Sequence, residues 1–201
     1  MFSPYPLPPT FYNRPAPEVA RDLLGRFVVR ELGGEELILR IVETEAYLGS
    51  PDRASHAWNG RRTARNESLY LAGGHAYVYF IYGMHFCLNA VVGNSDEGGA
   101  VLLRAGEPIA GAEVMKANRG LARVKPGDLA GGPGKLCRAL AIDRSFDGVP
   151  LDHGILRITA GEPVAEGDVA VGPRIGVDYA GEAAAWLLRF AVCGNPHVSR
   201  P

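Results

Sequence analysis

Apolar positions along the chain recur at two spacings. Phe27–Leu32, Glu36–Glu45, Ala76–Tyr82, Phe86–Val92 and Ala100–Ala105 are short β-prone runs or alternations, the pattern of strands. Gly33-Gly34-Glu35 separates the first two, and its glycines tolerate the positive φ that a tight hairpin demands. Gly83-Met84-His85 separates the next two and predicts a second hairpin. Helical spacing covers Pro17–Leu24, where Val19, Leu23 and Leu24 form a stripe and Gly25 stands at the stop position. Pro108–Asn118 and Pro133–Ala141 each place proline in a first turn and read as two more helices. Pro4, Pro6, Pro8 and Pro9 make residues 1–10 an extended arm, and 155–158, 174–177 and 187–192 read as strand and turn. Strands in runs with irregularly placed helices predict an α+β domain on an antiparallel sheet, not a doubly wound parallel one.

Between the hairpins, Ser50–Gly74 is polar and aperiodic, and a loop this long in a compact domain is usually functional. Its charge is one-sided: Arg53, Arg61, Arg62 and Arg65 fall within 53–66 without an acid. Net charge is only −1 overall, but residues 1–52 and 141–201 each hold five arginines against eight acids, so the middle of the chain is basic. That asymmetry points to a polyanion-facing side, although an arginine-rich solvated loop would have the same composition.

At 201 residues, with 47% hydrophobic residues, the chain can bury a core as one domain without a metal or disulfide staple. The three cysteines, Cys87, Cys137 and Cys193, are odd in number and contain no CxxC, which fits reduced thiols in a cytoplasmic setting and no structural zinc. No basic leader precedes an apolar run and no membrane-length stretch occurs.

Chemistry-bearing residues cluster at strand ends. Glu43 and Glu45 share a strand face, with Tyr47 continuing the parity and His56 close downstream. A solvent-facing strip would give the same pattern. In Ala76–Tyr82, Tyr77 and Tyr79 share a face, and Tyr77 reads as a core or cross-strand residue. Tyr82, at the turn with Met84 and His85, is hard to bury and could enter a minor groove. Asn89, between apolar neighbours, needs partners if buried, whether a neighbouring strand or a ligand edge. Glu43, Glu45, Asp52 and His56 could also be imagined around a divalent cation, but their spacing matches no established metal motif. The run Gly131-Gly132-Pro133-Gly134-Lys135-Leu136 lacks the hydroxyl residue of a phosphate P-loop.

Val42-Glu43-Thr44-Glu45-Ala46-Tyr47-Leu48-Gly49, Ser55-His56, Arg65-Asn66 and Tyr77–Met84 strongly resemble the alkyladenine (3-methyladenine) DNA glycosylase family. The resemblance continues through Leu102–Pro108, Gly132–Cys137, Ser145–Asp147 and Arg174–Val177. It implies a curved, open-barrel-like sheet with peripheral helices and a protruding hairpin. It implies Glu45 as general base for water and Arg104 beside it, holding the water or the base. Tyr47, His56 and Tyr79 would form the slot for an extruded purine, and Asn89 would crowd the 2-amino group of normal guanine. Tyr82 would fill the vacated space in the duplex, Met84 would touch the minor groove, and His85 stands where the family commonly has an aromatic. Arg61, Arg62, Arg65 and Lys135 would meet the DNA backbone.

The expected activity is therefore a monofunctional glycosylase for alkylated or deaminated purines in double-stranded DNA, leaving an intact abasic site. Strand nicking would need a Schiff-base amine, and Lys116, Lys125 and Lys135 lie outside the hairpin residues. No cofactor or metal, no membrane and no obligate protein partner is expected, and the protein would act as a cytoplasmic or nucleoid-associated monomer. The alternatives are a non-catalytic protein that binds distorted DNA and a metal-dependent hydrolase using Glu43, Glu45 and Asp52.

Overall fold

A computed structural model describes residues 4–199. Eight strands form one antiparallel sheet that does not close. They are β1 (Phe27–Leu32), β2 (Glu35–Tyr47), β3 (Ala76–Ile81), β4 (His85–Val92), β5 (Gly99–Ala110), β6 (Leu156–Thr159), β7 (Val169–Gly172) and β8 (Arg189–Val192). The main path runs β3-β4-β5-β2-β1-β6, while β8 pairs with the far end of β2 and carries β7. The helices are short: α1 (Pro9–Tyr12), α2 (Ala16–Asp22), α3 (Ala112–Arg119) and α4 (Pro133–Ala139). Among the described residues no helix is long and apolar enough to cross a membrane.

β2 organises the molecule. Its apolar residues Leu37, Leu39, Ile41 and Ala46 enter the main core with Leu88, Leu103, Leu136 and Tyr12. Register irregularities against β5 at 41–44 bend the strand where the two glutamates lie. Thr44 turns to the opposite face and its hydroxyl donates to Ala20 O of α2 at 2.8 Å. One face of β2 is thus sealed by α2, which leaves Glu43 and Glu45 on the other.

Both hairpins form as the sequence predicts. The expected helix at 108–118 does not start there, because Glu107–Ala110 continues β5 against Ile38–Arg40. Proline is tolerated at that irregularity as readily as in a first helical turn. The helix begins at Ala112, after Gly111 reverses the chain at φ 73°. Residues 174–177 form no strand, and β7 at 169–172 escapes the sequence reading. In the arm, Pro6 bridges Thr159 and Leu7 N donates to Ile158 O at 2.9 Å, so 4–8 extends the β6 edge, but α1 already begins at Pro9. Residues 1–3 of the arm lie outside the described residues.

Candidate active site

The long loop between the hairpins carries two 3-10 turns, Trp58–Gly60 and Glu67–Tyr70. It is pinned by Asn66, whose buried carboxamide donates to His56 O at 3.0 Å and Arg61 O at 2.9 Å and accepts from Thr63 N at 2.7 Å. This sets His56 against β3. Its Nδ1 lies 2.8 Å from the Tyr77 hydroxyl, and its ring meets Tyr79 edge-on at a centroid distance of 4.6 Å. Tyr77 and Tyr79 are themselves in contact at 5.4 Å, so three rings form one wall. Burial, with Arg65 and Arg61 adding to it, pushes the His56 pKa down, and the imidazole is neutral at physiological pH.

These rings line a cavity of about 340 Å³ together with Tyr47, Asn89, Arg104, Ile175 and Tyr179, within the usual size of a small-molecule site. Asn89 is buried in the wall and donates to Tyr77 O at 3.0 Å. The cavity adjoins a second hollow of about 500 Å³ lined by Arg53, Arg61, Arg65 and Trp58, and the two share Ser55, His56, Tyr77 and Tyr179. The site therefore opens toward the arginine-rich flank.

Behind Tyr47 lies Glu45, fully buried. Its Oε1 accepts from Ile175 N at 2.7 Å and meets Arg104 Nη1 at 3.2 Å, while its Oε2 accepts from the Tyr47 hydroxyl at 2.9 Å. Burial raises its pKa, opposed by Arg104, the Ile175 N–H and the Tyr47 hydroxyl. Arg104 remains charged: burial disfavours its cation, but Glu45 and Glu43 outweigh that and raise its pKa. Glu45 does not itself reach the cavity wall, where Tyr47, Arg104 and Ile175 stand in front of it. The solvent-facing strip is thereby dismissed, since both glutamates are fully buried and bonded to one arginine.

Tyr47 is held from its other side by Arg174, whose guanidinium lies 4.8 Å from the ring centroid. Arg174 forks onto Asp52 at 2.5 and 2.9 Å, both side chains fully buried, and Asp52 also accepts from Leu48 N and Ala54 N. Asp52 is thus a structural anchor, which removes it from any cation site. Among the described residues no cluster of three or more potential ligands could hold a metal.

The hairpin tip stands over this cavity. Tyr82 and Gly83 both have positive φ, 55° and 67°, and Met84 N closes the turn on Ile81 O at 3.2 Å. A tyrosine in this conformation is strained by about 1 kcal/mol. Tyr82 is 77% and Met84 68% exposed, while Tyr82 and His85 reach the cavity rim. His85 packs on α4 at Gly134, where a Cβ would come within 2.9 Å of the ring.

Of the expected backbone-contacting residues, Arg61 has no side-chain partner among the described residues, and Arg65 donates to Phe80 O at 2.7 Å, tying loop to hairpin. Arg62 is already paired with Glu67 at 2.6 Å and Asp96 at 2.5 Å. Lys135 donates to Gly127 O at 3.3 Å on α4, two residues beyond Pro133 of the cavity rim. Sequence reasoning gave Tyr77 a core or cross-strand role, which its place in a buried cluster fits, and missed its hold on His56. It also missed Tyr179 and the Ile175 N–H. Gly176, at φ 77° beside them, was the available signal for a special turn.

Residues 10–196 match the family described as methylpurine-DNA glycosylase. A protein of Methanocella arvoryzae, provisionally assigned as a 3-methyladenine DNA glycosylase, is 50% identical over 96% of both chains. The DNA-3-methyladenine glycosylases of Mus musculus and Homo sapiens are 46% and 45% identical, covering 96% and 94% of this chain and 61% and 66% of their own. With a family match across most of its length and an aromatic cavity backed by a buried acid, this chain belongs to the methylpurine-DNA glycosylase family.

Proposed function

We propose that the protein is a monofunctional DNA glycosylase that extrudes alkylated or deaminated purines from duplex DNA and hydrolyses the N-glycosidic bond, leaving an abasic site for base excision repair. The observation that carries this is Glu45, held by Arg104 and Ile175 directly behind an aromatic cavity beneath an exposed tyrosine. A base stacked in a duplex is out of reach of any buried carboxylate, so the nucleotide must rotate out, and damaged bases cost less to unstack. Tyr82 fills the gap, Met84 and His85 meet the minor groove, and Tyr47, His56 and Tyr79 enclose the base. Asn89 stands in the wall where a 2-amino group would collide. Arg61, Arg65 and Lys135 flank the opening toward the phosphates, with Arg62 as a partly neutralised fourth contact.

As the glycosidic bond lengthens, positive charge grows on the sugar, its bonding electrons leave with the purine, and water attacks C1′ while Glu45 takes the proton. In the free protein the Tyr47 hydroxyl occupies Oε2 of Glu45, so this step requires the Tyr47 ring to tilt when a base stacks on it, releasing that oxygen to water. A cationic alkylated purine needs no acid to leave. Neutral His56 serves as a stacking and hydrogen-bonding wall, and water supplies the proton for a neutral leaving group.

Glu45→Gln should slow single-turnover release of 7-methylguanine or hypoxanthine at least about a thousandfold, within the range general-base catalysis supplies, while a lesion duplex still binds. Since burial raises the Glu45 pKa and the base must be ionised, the wild-type rate should fall with decreasing pH, with a midpoint above that of an ordinary glutamate. Normal turnover by Glu45→Gln would refute the mechanism. Binding without base release by the wild type would favour the distorted-DNA binder.

A further inference from the structure

Arg104 is held at three nitrogens, and only one of them reaches Glu45. Nη1 meets Glu45 Oε1 at 3.2 Å, Nε donates to Glu43 Oε1 at 3.2 Å, and Nη2 donates to Ser199 Oγ at 3.3 Å. Glu43 is fully buried and held in turn: Arg189 Nη1 donates to Oε1 at 3.1 Å and Ser199 N to Oε2 at 2.7 Å. The chain before Ser199 is fastened as well. Asn195 donates to Glu107 of β5 at 3.2 Å, and the His197 ring accepts from Gly127 N at 3.2 Å.

Left to itself, a guanidinium beside a carboxylate forms a two-pronged pair, the stronger and more specific arrangement. Such a fork would occupy both oxygens of Glu45 and leave none for water. From this geometry we infer that Glu43, braced by the C-terminal segment 195–199, is a positioning residue that restrains Arg104 to a single contact with Glu45, so that Oε2 stays clear of the guanidinium and passes to water once the Tyr47 hydroxyl releases it. The inference rests on the proposed roles of Glu45 and Arg104. Glu43 itself is fully buried and lines no part of the cavity, so a positioning role accounts for a second buried acid next to the first. A merely structural ion pair would have no such directional consequence.

The test is Glu43→Gln in the full chain, read by single-turnover release of 7-methylguanine from a duplex across pH, with lesion-duplex binding and thermal melting alongside. The groups facing Glu45 are the charged Glu43 on its own strand, Arg104 on β5 and Arg189 on β8, and the titratable Tyr47, Cys87 on β4 and Tyr179 beyond Ile175, whose pKa values burial raises. Only Glu43 changes. The substitution takes away a like charge and replaces the ionic hold on Arg104 Nε by a weaker amide contact, which frees the guanidinium to turn further onto Glu45, and both effects favour the Glu45 carboxylate. The acid limb should therefore move to lower pH while the plateau rate falls about a hundredfold, the penalty of a roughly 1 Å misplacement, with binding kept.

Ser199→Pro, which loses the N–H to Glu43 and the hydroxyl to Arg104 at a partly exposed position, should give a smaller shift in the same direction. A folded Glu43→Gln with wild-type rate and acid limb overturns the inference. If Glu43→Gln does not fold, Ser199→Pro with a wild-type pH profile overturns it instead. Should Glu45→Gln retain turnover, the reading of the site fails before Glu43 is in question.

Discussion

The base of the cavity and the tip of the hairpin are built on opposite principles. At the base, Glu43, Glu45, Asp52, Arg104 and Arg174 are buried, and every carboxylate is bonded to more than one donor. At the tip, Tyr82 is exposed and held in a conformation that favours glycine, on a turn closed by one backbone hydrogen bond. If Glu45 is the base proposed above, its surroundings must keep their geometry through each turnover, because proton abstraction depends on sub-ångström placement. On the proposed reading the tip moves into a duplex and withdraws, and side chains with few contacts do that at little loss of stability. The proposed mechanism thus ties catalytic order to folding and leaves base displacement nearly independent of it.

The sharpest way to break that contrast is to remove a buried ion. Arg174→Ala leaves Asp52 with two backbone donors and no cation, and loosens the ring of Tyr47. Uncompensated buried charge destabilises by about 3–5 kcal/mol, which in a chain of this size lowers the melting temperature by roughly 10 °C. A drop of under roughly 2 °C would mean that the base is less rigid than its bonding indicates.

Tyr82 gives the opposite result. Tyr82→Ala should lower base release from a duplex about tenfold, the loss of roughly 1.4 kcal/mol of stacking, and leave melting nearly unchanged. Tyr82→Gly should lose the same activity yet gain about 1 kcal/mol of stability, since glycine accepts φ near 55° without strain. A large melting loss in Tyr82→Ala would make the tyrosine a packing residue and erase the distinction between tip and base.

How much of this the sequence disclosed follows the same division. Hairpins are local, and glycines plus period-two patterning were enough to place Tyr82 at a tip. Parity likewise put Glu43, Glu45 and Tyr47 on one face. The base was far less legible, because its bonds join distant residues: Arg104 to Glu43, Arg174 to Asp52, Ser199 to Glu43. None of these separations leaves a periodic trace. An isolated Asp52 looks like any loop acid until Arg174 is folded against it. Pro108 shows the reverse failure, where a local rule suggested a helix and pairing with β2 extended a strand. The Glu45, Tyr47 and His56 roles came from family resemblance and not from pattern. The resemblance gave no hint that Glu45 would sit one layer behind the cavity wall.

The arginine loop sharpens the comparison at its smallest scale, because its members differ in what already holds them. Arg61 has no partner among the described residues and lines the basic hollow, whereas Arg62 spends its charge on Glu67 and Asp96. A free arginine that neutralises a phosphate releases about one counterion, so Arg61→Ala should reduce the slope of log affinity against log salt by about 1. Arg62→Ala removes one positive charge but exposes two negative ones beside the DNA path. Its affinity loss should therefore come mainly from repulsion and be much weaker in high salt, where the Debye length shrinks to about 3 Å. Titrating both variants against one lesion duplex across salt separates the two cases. Equal slope changes would mean that Arg62 leaves its carboxylates when DNA binds, and that the loop, unlike the base of the cavity, rearranges its ion pairs on contact.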